Sequence, residues 1–101
     1  MRLTTEQIAV FKQLTTELFG SQAQAWLFGS RTDDRRRGGD IDLYITGYAQ
    51  TARELPGVVD RFVIQAQFKL GEQRIDVVTA PGAGEAPRLI HRVAAETGVL
   101  L

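Results

Sequence analysis

The chain has 101 residues, of which 44% are hydrophobic and 24% charged, and its formal net charge is zero. This composition is too apolar for a disordered chain, and the balanced charge argues against a protein that binds nucleic acid mainly by neutralising phosphates. The sequence has no cysteine and no apolar run near the about 20 residues that cross a bilayer, which excludes disulfide frameworks, thiolate metal sites and membrane spans. Residues 1–5 lack a signal-peptide pattern, so we expect one cytoplasmic domain covering residues 1–101.

The chain begins with a predicted helix and a predicted strand. Thr4 and Gln7 have the spacing of a capping box, and apolar residues then recur at helical spacing until Gly20. Residues 23–28 are short, apolar and partly aromatic, and they end at a glycine followed by a serine. This pattern predicts a buried strand.

The next segment predicts a loop followed by a strand with two different faces. Residues 31–39 are polar and charged and end in two glycines, which is typical of a loop. Residues 40–45 alternate strictly between polar and apolar side chains. Such alternation places Asp40, Asp42 and Tyr44 on one face of a strand and three aliphatic side chains on the other.

The following region predicts a helix and a third strand. Apolar residues at helical spacing between positions 59 and 70, closed by Gly71, favour a helix. A hairpin that pairs residues 62–70 with the next strand is the alternative. Arg74–Thr79 is rich in β-branched residues and carries one acid, Asp76, near its centre.

The last elements are a loop rich in glycine and proline over residues 81–87 and a short helix over Leu89–Thr97. The resulting order is αββαβα. It predicts an α/β (α+β) fold with a small mixed sheet of about three strands flanked by helices.

Three aspartates are the candidate catalytic and metal-ligating residues. Asp40 and Asp42, two residues apart on one strand face, lie about 7 Å apart at the backbone, so their side chains can converge on one cation. Like charges about 4 Å apart repel by roughly 4 kcal/mol at an effective dielectric of 20, so the pair needs a proton, an arginine or a metal. If the third strand lies beside the second, Asp76 completes an all-oxygen site suited to two Mg²⁺ ions and to in-line displacement at phosphorus. Asp40 and Asp42 would bridge the ions, and Asp76 would bind the acceptor-side ion and help to take the acceptor proton.

The turn after the first strand supplies candidate nucleotide-binding residues. Gly29 allows the backbone to approach a phosphate closely, and the hydroxyl and N–H of Ser30 can donate to phosphate oxygens. Arg31, and with less support the arginines at positions 35–37, could neutralise charge on a departing pyrophosphate.

Simpler interpretations exist for each of these residues. An Asp-x-Asp pair on a strand is often a solvated edge or a local ion pair, and Asp76 could form a structural salt bridge with Arg74 or a loop arginine. The arginines at positions 35–37 are typical of a solvated charged loop. We expect Tyr44 to pack beside the aspartates and His91 to lie at the surface of the last helix.

The combined pattern resembles a known family signature. The segments LFGS at residues 27–30, GDIDLYI at residues 39–45 and RIDVV at residues 74–78 resemble the DNA polymerase β-like nucleotidyltransferase superfamily, and more narrowly its minimal nucleotidyltransferases. The resemblance implies a three-stranded mixed sheet with helices around it. It also implies that the three matching aspartates hold Mg²⁺ and that the turn at Gly29 and Ser30 meets the triphosphate.

The resemblance further implies ATP as the nucleotide donor and a separate protein partner. Minimal members lack the second domain that larger relatives use for the acceptor, and they often pair with a small helical HEPN-type protein. In some pairs the nucleotidyltransferase is an antitoxin that adenylylates a tyrosine of the HEPN toxin. The alternatives are an antitoxin that acts by contact alone and a transferase that modifies a small molecule such as an aminoglycoside. A homo-oligomer is also compatible with the sequence.

Overall fold

A single mixed sheet organises the protein, whose computed structural model describes residues 3–29 and 40–101. The elements in chain order are α1 (Thr5–Leu14), a π-helical segment (Thr15–Phe19), β1 (Gln24–Phe28), β2 (Asp40–Thr46), α2 (Leu55–Leu70), β3 (Arg74–Thr79), α3 (Leu89–Thr97) and β4 (Val99–Leu100). The predicted α+β class, with a mixed sheet flanked by helices, is confirmed. None of the helices in these described ranges has the length and apolar content to cross a bilayer.

The strands lie in the order β3-β2-β1-β4. β1 pairs antiparallel with both β2 and β4, whereas β2 and β3 are parallel and are joined through α2. A parallel neighbour requires such a crossover connection, and a helix is its usual form. The prediction of about three strands is wrong, because β4 adds a fourth. Its two residues, which pair with Trp26 and Leu27, are too few for a period-two pattern to be visible in the sequence.

The main core lies between one face of the sheet and the first two helices. Alternation along β2 sends Ile41, Leu43 and Ile45 into this core, where all three are fully buried. Phe62 of α2 is in contact with two aromatic rings from the first helical region. Its ring centroid lies 6.1 Å from that of Phe11 and 5.5 Å from that of Phe19.

The opposite face of the sheet is covered in part by α3. Ala94 of this helix is fully buried in a second, smaller cluster with Phe28 and Tyr44. The expectation that His91 lies at the surface is wrong, since only 4% of it is exposed. Its Nδ1 accepts a hydrogen bond from the backbone N–H of Arg88 at 2.9 Å, and its ring centroid lies 6.5 Å from that of Tyr44. The hydrogen bond provides Nδ1 with a partner, and the packing near Tyr44 buries a side chain that we expected to be exposed to solvent.

The helices begin and end close to the predicted positions. The capping box is confirmed, because the Thr4 hydroxyl accepts from the Gln7 N–H while the Gln7 side chain accepts from the Thr4 N–H. The predicted first helix reaches Gly20, but its last turn is π-helical, and there the Thr15 hydroxyl donates to the carbonyl of Phe11 at 2.6 Å. The hairpin alternative for residues 62–70 is wrong, because that segment is helical.

Two phenylalanines six positions apart on α2 test this description of the core. Phe62 is fully buried between two other aromatic rings, whereas Phe68 is 89% exposed. Phe62→Ala should lower the free energy of unfolding by about 3–5 kcal/mol, and Phe68→Ala should change it by about 0.5 kcal/mol or less. Urea denaturation followed by circular dichroism measures both, and equal losses for the two variants would contradict the assigned core.

Candidate functional site

The parallel register between β2 and β3 brings the candidate acids together. Asp42 lies directly opposite Asp76, and Asp40 lies opposite Arg74. Neighbouring strands are about 4.8 Å apart, and the alternation of each strand places all four side chains on the same face. This is the face that α3 covers further along the strands, around Tyr44. The structure therefore gathers polar side chains at the starts of two adjacent parallel strands.

The surroundings of Asp42 disfavour the ionised form of its carboxyl. Partial burial raises the pKa of its carboxyl above the ordinary value, and the negative charges of Asp76 and then Asp40 raise that pKa further. The positive charge of Arg74 acts in the opposite direction and lowers it. Both predicted partners thus act on Asp42 through space. Ionised Asp42 therefore destabilises the folded protein unless a cation offsets the negative charges of Asp76 and Asp40.

The turn at the end of β1 lies against the same carboxylate. Phe28 pairs with Asp42 across the antiparallel ladder, and Gly29 follows it with a φ of +80°. A Cβ added at Gly29 would lie 2.5 Å from Oδ2 of Asp42 and 3.3 Å from its Cγ. Only glycine combines this backbone conformation with so close an approach. Gly29 and the predicted metal ligand Asp42 are therefore direct neighbours.

Asp40 has a different immediate partner. Its Oδ2 lies 3.8 Å from Nε of Arg74, in an ion pair whose side chains are 46% and 75% exposed, respectively. In the simpler interpretation of Asp76, this acid formed a structural salt bridge with Arg74 or a loop arginine, whereas Arg74 pairs with Asp40. The register explains the difference, because Arg74 faces Asp40 directly across the two strands.

The donor set determines which ion could be held here. Asp40, Asp42 and Asp76 offer carboxylate oxygens only, and Mg²⁺ prefers oxygen ligands. Gly29 lies close to Oδ2 of Asp42, and because it is a glycine it places no side chain against that oxygen. These residues fit a hard divalent cation in the type of their ligand atoms. Within residues 3–29 and 40–101, no three acidic or histidine side chains form a ready-made metal-binding group.

The remaining predicted residues divide into two sets. Tyr44 shares the aspartate-bearing face and is buried with Phe28 and Ala94, so it packs beside the site as expected. Ser30, Arg31 and the arginines at positions 35–37 lie outside the described residues. Sequence reasoning gave Arg74 no role at Asp40. The available signal was its position two residues before Asp76 on the same strand face, but its partner depends on the register.

No protein-family model matches the chain, and no curated protein is significantly similar to it. The likeness of its three short segments to minimal nucleotidyltransferases therefore stays a prediction. A functional assignment depends on what the side chains around Asp42 can do.

Partial burial of Asp42 and its repulsion by Asp76 and Asp40 predict a variant that is more stable than the wild type. Because the pKa of Asp42 is raised in the folded protein, the stability that its protonated form provides is present at low pH and is lost as the pH rises through that pKa. Asp42→Asn should therefore raise the Tm of the metal-free protein at pH 7 by about 1 to 6 °C. The gain should vanish near pH 3, below the ordinary pKa of an aspartate, which is about 3.9.

Thermal unfolding in the presence of a chelator measures this effect. Asp60→Asn, at an exposed position on α2, is the matched control and should leave the Tm nearly unchanged at both pH values. An Asp42→Asn variant that is less stable than the wild type at pH 7 would refute the assigned destabilisation of ionised Asp42 by burial and by its acidic neighbours.

The contact between Gly29 and Asp42 can be measured by a double-mutant cycle. Gly29→Ala should cost about 1–3 kcal/mol, since alanine is strained at positive φ and its Cβ displaces the carboxylate. In an Asp42→Ala background only the backbone strain remains, so the cost should fall by about 0.5 kcal/mol or more. Equal costs in the two backgrounds, measured by urea denaturation, would show that the two residues do not touch.

Proposed function

We propose that the chain is a Mg²⁺-dependent nucleotidyltransferase that moves AMP from ATP to a hydroxyl group of an acceptor. The observation that supports this proposal most directly is the register that sets Asp42 opposite Asp76, with Gly29 against the Asp42 carboxylate. Adjacent carboxylates provide oxygen ligands for a cation, and the glycine beside them is a residue type that lets backbone approach a phosphate closely.

In this proposal Asp40, Asp42 and Asp76 hold Mg²⁺, with two ions present once nucleotide is bound. When bound, Mg²⁺ neutralises the triphosphate and supports in-line displacement at phosphorus. The acceptor oxygen forms a bond to the α-phosphorus, the bond from that phosphorus to the bridging oxygen breaks, and pyrophosphate leaves. The carboxylate of Asp76, which is exposed to solvent, takes the proton of the acceptor hydroxyl.

The turn after β1 positions the triphosphate in the proposed reaction. The absence of a Cβ at Gly29 lets the backbone lie close to the Asp42 carboxylate, so a triphosphate bound by this turn would lie next to the proposed metal ligands. Ser30 would donate hydrogen bonds to phosphate oxygens, and Arg31 would offset charge on the departing pyrophosphate.

The proposed acceptor is a tyrosine of a HEPN-type helical partner, with the chain acting in the cytoplasm as the antitoxin of a toxin-antitoxin pair. This part rests on the resemblance of the three segments to minimal nucleotidyltransferases. A tyrosine hydroxyl suits the site because transfer requires a nucleophile with one proton to lose, and Asp76 lies at the exposed edge of the cluster to receive it.

The proposal is tested by incubating the protein with ATP, MgCl₂ and the product of a neighbouring HEPN-type gene. Mass spectrometry should detect one adenylyl group on a partner tyrosine. Asp42→Asn should reduce the rate at least about 100-fold, because it removes a ligand without changing side-chain shape. Asp60→Asn should retain the wild-type rate.

Two other outcomes would replace the proposal. A tight complex without any adduct would favour an antitoxin that acts by contact alone. Adenylylation of an aminoglycoside instead of the protein would favour the small-molecule transferase. In addition, full activity of the Asp42→Asn variant would show that Asp42 is not needed for transfer and would contradict the proposed role of the acid cluster.

A further inference from the structure

Arg74 belongs to the aspartate-bearing face of the sheet. It is the first residue of β3, two positions before Asp76, and the register places it opposite Asp40. Its Nε lies 3.8 Å from Oδ2 of Asp40. The oxygen that would bind a cation at Asp40 is therefore already close to a positive charge.

The influence of Arg74 extends beyond its direct partner. Burial, followed by the charges of Asp76 and Asp40, raises the pKa of Asp42, and Arg74 lowers it. A guanidinium that acts on both carboxylates of β2 offsets part of the repulsion within the cluster. The exposure of the Arg74 side chain, 75%, leaves it room to move away from the cluster without disturbing the core.

A guanidinium and a divalent cation compete for the same carboxylate oxygens. We propose that Arg74 is a positioning residue that serves as the counter-ion of Asp40 in the metal-free protein and leaves Asp40 when Mg²⁺ binds. The exchange is purely ionic, since the ion enters, the guanidinium moves into solvent, and no covalent bond changes. This inference rests on the proposed metal site and adds a determinant of its affinity.

The exchange has a consequence for the order of binding. Arg74 stabilises the empty cluster and opposes a lone Mg²⁺, so the site holds Mg²⁺ weakly until a triphosphate brings further negative charge. Metal and nucleotide then enter together, because each raises the affinity for the other by the same factor.

The test uses MgCl₂ alone as the probe, without nucleotide. The Tm of the full chain is followed against MgCl₂ concentration at constant ionic strength, and the half-saturating concentration is read from the rise. Arg74→Gln should lower the Tm of the metal-free protein slightly and should bind Mg²⁺ about threefold to tenfold more tightly, since a unit positive charge near the ion is removed. Arg74→Lys should stay close to the wild type, because it keeps the charge.

Arg61→Gln is the matched control, because Arg61 is exposed on α2, which packs on the opposite face of the sheet. It should leave the half-saturating concentration unchanged. A salt bridge with a merely structural role would lower the Tm of Arg74→Gln without changing the Mg²⁺ midpoint, and that result would overturn the inference while leaving the metal site intact. A Tm that responds to MgCl₂ in neither the wild type nor Arg74→Gln, or a response that survives Asp42→Asn, would overturn the metal site and the role of Arg74 together.

Discussion

The in-register parallel pairing of β2 and β3 is the constraint on which the candidate site depends. Residues that are 34 positions apart in the chain, Asp42 and Asp76, lie directly opposite each other only because this register holds. A shift by one residue would turn one of the two carboxylates to the other face of the sheet. The chemistry proposed for the open face is therefore decided by the pairing of two strands.

The buried face of the same strands is what fixes this register. Ile41 and Leu43 are fully buried against α1 and α2, and Ile75 of β3 is nearly so. A one-residue slip of either strand, which would turn its aspartate to the other face, would also move that strand's aliphatic side chains into water, at about 1.5–3 kcal/mol each. Hydrophobic burial on one face thus supports a cluster of like charges on the other.

The sequence predicted most of the elements because their patterns are local. Strict alternation identified β2, β-branched residues identified β3, and the capping box marked the start of α1. The alternation along β2 also placed Asp40 and Asp42 on one face, because that inference requires only the two-residue period of a strand. The candidate acids could therefore be named before their pairing was known.

The features that the sequence did not reveal depend on contacts between distant segments. β4 has only two residues and exists because it pairs with β1. His91 packs near Tyr44 of β2, 47 residues earlier in the chain, and this contact is not visible in the pattern of α3. The pairing of Arg74 with Asp40 likewise follows from the register and not from spacing along β3.

The central claim is that Asp42 and Asp76 bind the same divalent cation. Titration of the ¹⁵N-labelled protein with Mn²⁺, a paramagnetic substitute for Mg²⁺, tests it by NMR. The amide signals of Gly29, Asp42 and Asp76 should broaden first and together, and added Mg²⁺ should reverse the broadening. Broadening that centres on other acids, such as Glu72 or Glu85, while these three signals stay sharp would contradict a shared ion at this register.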